Sequence, residues 1–192
     1  MAKGQLIVLS GPSGVGKGTV LKEFINDPEL KLGLSISMTT RSMRPGEKDG
    51  VNYYYVTKEE FLKTRDEGGL LEWAEFVGNY YGTPVAEVER LRSMGKNVLL
   101  EIEVEGCRQI KEKVPDVITI FIVPPSMEEL EARIRGRATE PEEIVQQRLA
   151  KAAKEMELMN EYKYIVCNDD PKLAADLIRV IIKRHMDNSN EA

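Results

Sequence analysis

The sequence predicts an α/β fold, a parallel β-sheet flanked by helices, with a small mixed α+β insertion and a helical arm. Three observations lead there. Short apolar or β-branched runs recur at residues 6–9, 97–104, 118–123 and 164–167. Most are separated by segments whose apolar residues repeat at helical spacing. Two stretches, 41–82 and 126–160, break that alternation. Strands alternating with helices call for a parallel sheet covered on both faces. A chain of 192 residues is long enough for one sizeable core carrying small inserted subdomains. Apolar content of 42% with 31% charged residues describes a soluble globular protein, and a net charge of −5 argues against a general nucleic-acid binder.

Residues 5–25, QLIVLSGPSGVGKGTVLKEFI, organise the rest. Leu6-Ile7-Val8-Leu9 is short enough for a buried strand, Gly11, Gly14 and Gly16 mark a turn, and Val20, Leu21, Phe24 and Ile25 resume at helical spacing. Strand, glycine-rich loop and helix is the context that gives G-x-x-x-x-G-K a mechanism. The loop Gly11, Pro12, Ser13, Gly14, Val15, Gly16, Lys17, Gly18, Thr19 can curl its N–H groups around a phosphate. The helix that starts there adds its positive dipole end. Lys17 stands where an ammonium can follow the charge on the outer phosphates. Gly18 occupies the position where the motif usually carries a magnesium-ligating Ser or Thr, and Thr19 follows. That G-K-G-T arrangement resembles nucleoside monophosphate kinases of the adenylate type. A nucleoside triphosphate is the expected ligand.

Further along, a strand is expected over 34–38. The first irregular stretch holds a strand-like run at 53–56, a short helix capped by Thr57 and Glu60 and ended by Gly68-Gly69, and another strand-like run at 71–77. Helices are expected over 84–94, with Thr83 as cap and Gly95 as stop, and over 105–113 and 172–183. Pro124-Pro125 stops the strand at 118–123. The second irregular stretch opens with the capping box Ser126-x-x-Glu129, breaks at Gly136 and restarts at Thr139-x-x-Glu142. An arginine-rich helical hairpin beside a phosphate loop reads as a closing lid. Residues 187–192 read as a frayed tail.

The core is therefore expected at 1–35, 87–127 and 158–192, the insertion at 36–86 and the lid at 128–157. Cys107 and Cys167 lack metal-ligand spacing and are expected in the core as small apolar residues of a reducing cytoplasm. With His185 as the single histidine, neither a zinc site nor a Ser-His triad has enough parts. No apolar run approaches ~18 residues, so no membrane span is expected. Residues 1–4 run straight into the first strand, which leaves no room for a signal peptide.

Glu101 and Glu103 end an apolar strand and, two apart, are expected on one face at its carboxyl edge, where open α/β sheets bind ligands. Glu101 could anchor Mg2+ through water. Arg41 and Arg44 follow the second strand; two guanidiniums three apart can grip a phosphate by bidentate hydrogen bonds, with Tyr53 and Tyr81 adding phenolic donors. Glu72, in the alternating run L-L-E-W-A-E-F, reads equally as a site residue and as the wet face of a strand. Arg133 and Arg137 share a helix face, Arg148 lies on the next helix, and Arg135 reads as solvated surface.

The motifs S-x-S-x-T-T-R-x-x-R-P-G-E, Y-x-x-V, L-E-W-A-E-F-V-G-N-Y-Y-G-T and V-C-N-D-D resemble the guanylate kinase family from end to end. The resemblance implies a P-loop core with a GMP-binding insertion and a lid. It implies Mg2+-dependent transfer of the ATP γ-phosphoryl group to GMP, and to dGMP, giving ADP and GDP. By the same resemblance Arg41, Arg44, Tyr53 and Tyr81 would hold the GMP phosphate, and Ser37, Glu72, Thr83 and Glu103 would read the guanine. Arg133, Arg137 and Arg148 would fold over the triphosphate, and Asn168 and Asp169 would form the adenine-side loop. An acceptor-only carboxylate matches the adjacent donors N1–H and N2 of guanine, and a hydroxyl can serve O6. No histidine or cysteine is positioned as a nucleophile, so direct in-line transfer is expected. Two rivals are another nucleoside monophosphate kinase and a catalytically inactive binding module. Oligomeric state is left open, because Met38, Met43 and Trp73 suit an interface or an interior.

Overall fold

The computed structural model describes residues 3–136 and 141–190, with the helix alone described at 188–190. β1 (Leu6–Ser10), buried along its length, leads through the glycine loop into α1 (Lys17–Phe24). β2 (Leu32–Leu34), β3 (Met38–Thr39), β4 (Tyr54–Tyr55), α2 (Lys58–Asp66), β5 (Leu70–Phe76) and β6 (Asn79–Pro84) follow. Then come α3 (Val85–Ser93), β7 (Asn97–Glu101), α4 (Val104–Lys113) and β8 (Ile118–Val123). The chain continues through α5 (Met127–Gly136), α6 (Glu142–Glu157), β9 (Tyr164–Cys167) and α7 (Pro171–Asn190).

Five strands pair in the order β2-β7-β1-β8-β9, every pair parallel. Side-chain alternation along β1 then divides the core. Ile7 and Leu9 join Val20, Phe24, Ile178 and Ile182, from α1 and α7, on one face. Leu6 and Val8 join Val88, Leu91 and Ile110, from α3 and α4, on the other. The parallel sheet covered on both sides is the architecture expected from the sequence.

A separate four-stranded sheet, β4-β3-β6-β5, lies between residues 38 and 84. Here the structure corrects the reading of one strand over 34–38. Leu32–Leu34 pair with β7, whereas Met38 and Thr39 pair with β4 and β6 of the second sheet. Residues 35–37 carry the chain from one sheet to the other. β6 itself went unread. Its hairpin turns on Val77 and Gly78, with φ of 49° and 74°, the left-handed pair that a two-residue hairpin loop requires. Met43 is exposed, and Trp73 packs under the Arg65 guanidinium at 4.9 Å from its ring centroid.

Helix ends supply further corrections. α2 has its full capping box from Thr57 and Glu60. α3 is preceded by Pro84 with no side-chain cap, so Thr83 stays in β6 with its hydroxyl committed elsewhere. β7 stops at Glu101, and Glu103 is the N-cap position of α4. The two glutamates therefore do not share a strand face. Ser126 accepts from the Glu129 N–H at 3.1 Å. α6 starts at Glu142 after Pro141, while Arg137 and the Thr139 restart lie outside the described residues. α7 runs on to Asn190 where a frayed tail was expected. Cys107 is buried but Cys167 is exposed, because alternation on the edge strand β9 turns Val166 inward and its neighbours out. Among the described residues no helix is long and apolar enough to cross a membrane.

α5 and α6 are anchored by Leu130, Ile134, Val145 and Ala152, buried in the cluster that holds Val15 of the glycine loop. Gly14 has φ of 87°, and a Cβ there would lie 2.6 Å from Ile134 Cγ1. Gly14→Ala should therefore lower the free energy of unfolding by about 1–3 kcal/mol, read from urea denaturation.

Candidate functional site

The loop between β1 and α1 forms the first half of the site. Gly16, with φ of 94°, is the left-handed N-cap of α1, a conformation that glycine adopts without steric cost. Lys17 Nζ donates to Gly11 O at 2.6 Å and to Pro12 O at 3.3 Å, so the ammonium is folded over its own loop. Burial pulls its pKa below the ordinary lysine value, and the charges of Glu101, Glu155 and Glu103 oppose that shift. A cavity of about 290 Å³ is lined by Gly11, Ser13, Lys17, Glu101, Ile102, Glu103 and Glu155.

Three side chains from later in the chain converge on the loop. Arg133 Nη1 on α5 donates to Val15 O at 3.3 Å while its Nε donates to Glu129 at 3.0 Å. Arg148 Nη2 on α6 donates to Ser13 Oγ at 3.1 Å. Asn168, just past β9, donates from Nδ2 to Val15 O at 2.8 Å, and its Oδ1 is sealed from solvent with no hydrogen-bond partner. Gly14, Gly16, Thr19, Arg133 and Asn168 share a second cavity of about 290 Å³. Asp169 is exposed, and Asp170, which the sequence reading passed over, caps α7 through the Lys172 and Leu173 N–H groups. Arg135 is not merely solvated: it bridges Glu131 on its own helix and both carboxylate oxygens of Glu142 on α6.

The second half lies against the smaller sheet. Ser37 and Thr83 line a cavity of about 180 Å³ that also includes Glu101 and Ile102, the two residues it shares with the Lys17 cavity. The two cavities thus meet at the carboxyl end of β7. Beside them, Glu72 is buried in β5, which settles its location against a wet strand face. It accepts from Thr83 Oγ1 at 2.6 Å. Burial pushes its carboxyl above the ordinary glutamate value, while the Thr83 hydroxyl and the Lys113 charge act the other way. A Cβ on Gly106 would come within 2.9 Å of Glu72 Oε2, so the glycine in the first turn of α4 makes room for the carboxylate. α4 also holds β5 in place, since Gln109 pairs with both backbone groups of Trp73 and Lys113 donates to Leu70 O and Leu71 O. Neither side chain carried a signal of its own in the sequence.

Arg41 is set among aromatics. Its guanidinium lies 5.5 Å from the Tyr53 ring centroid and 5.8 Å from that of Tyr55, and Tyr81 stands edge-on to Tyr53 at 6.1 Å. Glu47 holds both Arg41 terminal nitrogens at 3.0 and 2.8 Å and accepts from the Arg44 N–H and the Tyr55 hydroxyl. Those donors hold the Glu47 carboxyl down to about 2. Glu47 ends the R-x-x-R-P-G-E motif, so its signal was present but unassigned. The Arg44 side chain is exposed and meets the cluster through its backbone. Glu103, expected beside guanine, instead has both oxygens on Lys151 of α6, at 2.9 and 3.1 Å.

Among the described residues no trio of acidic, histidine or cysteine side chains is gathered as a metal cage. Glu101 is exposed where the two cavities meet, a single hard oxygen donor. That suits an ion such as Mg2+, which keeps several waters and takes one or two carboxylates plus substrate phosphates.

The family model described as guanylate kinase matches residues 3–184. A guanylate kinase of Streptococcus agalactiae (serotype III) is 52% identical over 181 residues, covering 94% of this chain and 87% of the relative. One of Streptococcus pyogenes (serotype M3) is 51% identical over 181 residues, covering 94% and 86%. The crystal structure of guanylate kinase from Anaplasma phagocytophilum superposes with a TM-score of 0.69 at 36% identity, covering 96% of this chain and 87% of that one.

Proposed function

The chain belongs to the guanylate kinase family and carries its ATP:GMP phosphotransferase activity, and we propose how its residues divide that work. One observation carries the reading: the Lys17 cavity and the Ser37–Thr83 cavity share Glu101 and Ile102. A donor phosphate on the loop and an acceptor nucleotide against the smaller sheet would then meet end to end at the tip of β7.

ATP lies with its phosphates on the backbone N–H groups of Gly11–Thr19 and the start of α1. Lys17 leaves its carbonyls for the outer phosphates. The adenine edge lies toward Asn168, which lines the second cavity with Gly14, Gly16 and Thr19. GMP places its phosphate on Arg41, Arg44, Tyr53 and Tyr81, and its base toward Glu72, Thr83 and Ser37. Glu72 takes the guanine donors while Thr83, whose single O–H is given to Glu72, orients that carboxylate, and the Ser37 hydroxyl serves O6. Arg133 and Arg148, with Arg137 of the same motif, neutralise charge on the group in flight. No side chain here acts as a covalent carrier; catalysis is positioning and charge neutralisation. Mg2+, when bound, supplies positive charge that neutralises the phosphate oxygens, and Glu101 is the residue that would hold it through water. The core, the insertion at 36–86 and the lid at 128–157 would move as three parts, closing to exclude water. Lys151 engages both Glu103 oxygens, so Glu103 must leave this ion pair before it can reach the base. An activity on free nucleotides, with no membrane-crossing helix among the described residues, fits the cytoplasm.

A coupled assay of ADP release, with GMP, AMP, CMP and UMP offered in turn, tests the proposal. Turnover is expected with GMP. Equal turnover with AMP would refute the roles given to Glu72 and Thr83. Glu47→Gln gives a second check. It loosens the Arg41 fork and should raise KM for GMP about tenfold while KM for ATP stays within about twofold.

A further inference from the structure

We propose that Glu155, near the end of α6, is a positioning residue that holds Lys17 and the Ser13 segment of the phosphate loop in the geometry for transfer. The inference rests on the reading of Lys17 as the cation of the outer phosphates. Glu155 is half-buried and lines the cavity with Lys17, Glu101 and Glu103. Its Oε1 is 3.7 Å from Lys151 Nζ, and its Oε2 is closed to solvent with no hydrogen-bond partner. Burial pushes its carboxyl above the ordinary glutamate value, and the Lys151 charge, the Ser13 backbone N–H and the Lys17 charge act the other way. A buried carboxylate oxygen without a donor is uncommon and calls for an explanation.

Lys17 supplies one. An ammonium has three donors, and in the structure two of them go to Gly11 O and Pro12 O. When Lys17 swings from those carbonyls to a phosphate it needs an anchor on the protein side. Glu155 is the most enclosed of the three acids that line its cavity, with Glu101 and Glu103 both exposed. Of the acids whose charge favours the Lys17 ammonium, Glu101 acts most strongly and Glu155 next, and of these two Glu155 is the more enclosed and so the less screened. The same carboxylate belongs to α6, which also carries Arg148 to Ser13 Oγ. One helix therefore bears on the loop from both signs of charge.

The test is a double-mutant cycle with Glu155→Gln and Lys17→Met, read as kcat and KM for each nucleotide. Glu155→Gln should lower kcat at least about tenfold, with KM for GMP within about twofold. In the Lys17→Met background the same change should alter kcat by less than about twofold, because the group it acts through is gone. Glu155→Asp, which keeps the charge, should recover part of the lost rate. Full activity in Glu155→Gln, or an unchanged penalty without Lys17, would overturn the inference and leave the role of Lys17 intact. A Lys17→Met enzyme with normal kcat would overturn both. Thermal unfolding of each variant separates lost rate from lost fold.

Discussion

Glu72→Gln will lower kcat/KM for GMP by roughly 10³–10⁴ while leaving KM for ATP within about twofold. The reasoning starts from burial. Glu72 sits in β5 with 8% of its surface exposed, against the first turn of α4, and Thr83 already supplies one hydrogen bond at 2.6 Å. On the proposed assignment, guanine would bring two adjacent donors to the remaining lone pairs. A glutamine would turn an N–H₂ toward one of them, leaving donors face to face at a buried position. Folding should not suffer, because the amide is isosteric and its oxygen can still accept from Thr83. The melting temperature is expected to hold or rise. Equal loss toward ATP, or no loss toward GMP, would refute the assignment.

The same residue gives a pH signature. Burial raises the Glu72 carboxyl above its ordinary value, so the ionised form that the proposed guanine contact requires is lost at a higher pH than for an ordinary glutamate. KM for GMP should rise on acidification, beginning above the usual carboxylate range, and Glu72→Gln should abolish that dependence. For stability the sign is opposite. The raised folded value makes the protonated form the stabilising one, an increment fully present below the unfolded pKa and lost as pH rises through the folded one. Kinetic and denaturation profiles taken together will separate the two.

Arg133→Met will lower kcat by about 10³, with a smaller rise in KM for ATP. Its guanidinium is already at the loop, 3.3 Å from Val15 O, and Glu129 steadies the other edge of the fork. Phosphoryl transfer spreads charge over the equatorial oxygens, and a planar fork can bind two of them where an ammonium binds as a point. Arg133→Lys should therefore recover little. Single-turnover measurements would place the loss in the chemical step; a defect confined to nucleotide binding would refute the role. Arg148, on Ser13 Oγ, is expected to follow the same pattern.

Much of this molecule could be read along the chain because its signals are local. The turn from β1 to α1 needs glycines whose conformations other residues avoid, so the loop announced itself through Gly14 and Gly16. The strands at Ile118–Val123 and Tyr164–Cys167 were legible from branched apolar residues between helical segments. Elements set by pairing across the chain were harder. β2 and β3 looked like one strand until their partners, β7 and β6, separated them. Glu103 looked like a strand residue because the alternation of Glu101 and Glu103 continues past the point where α4 begins.

The site divides along the same line. The sequence alone determined the kinds of group available: a lysine after a glycine loop, paired arginines, hydroxyls and carboxylates in a recognisable order. Periodicity and turn chemistry depend on neighbours a few residues away, which a linear reading can see. Tertiary structure alone decided which carboxylate is buried and which is not. Glu72 is enclosed because α4 leaves a gap at Gly106, while Glu103 is drawn out to Lys151 on α6. Burial and electrostatic partnership depend on atoms brought together from distant parts of the chain, so no local pattern encodes them.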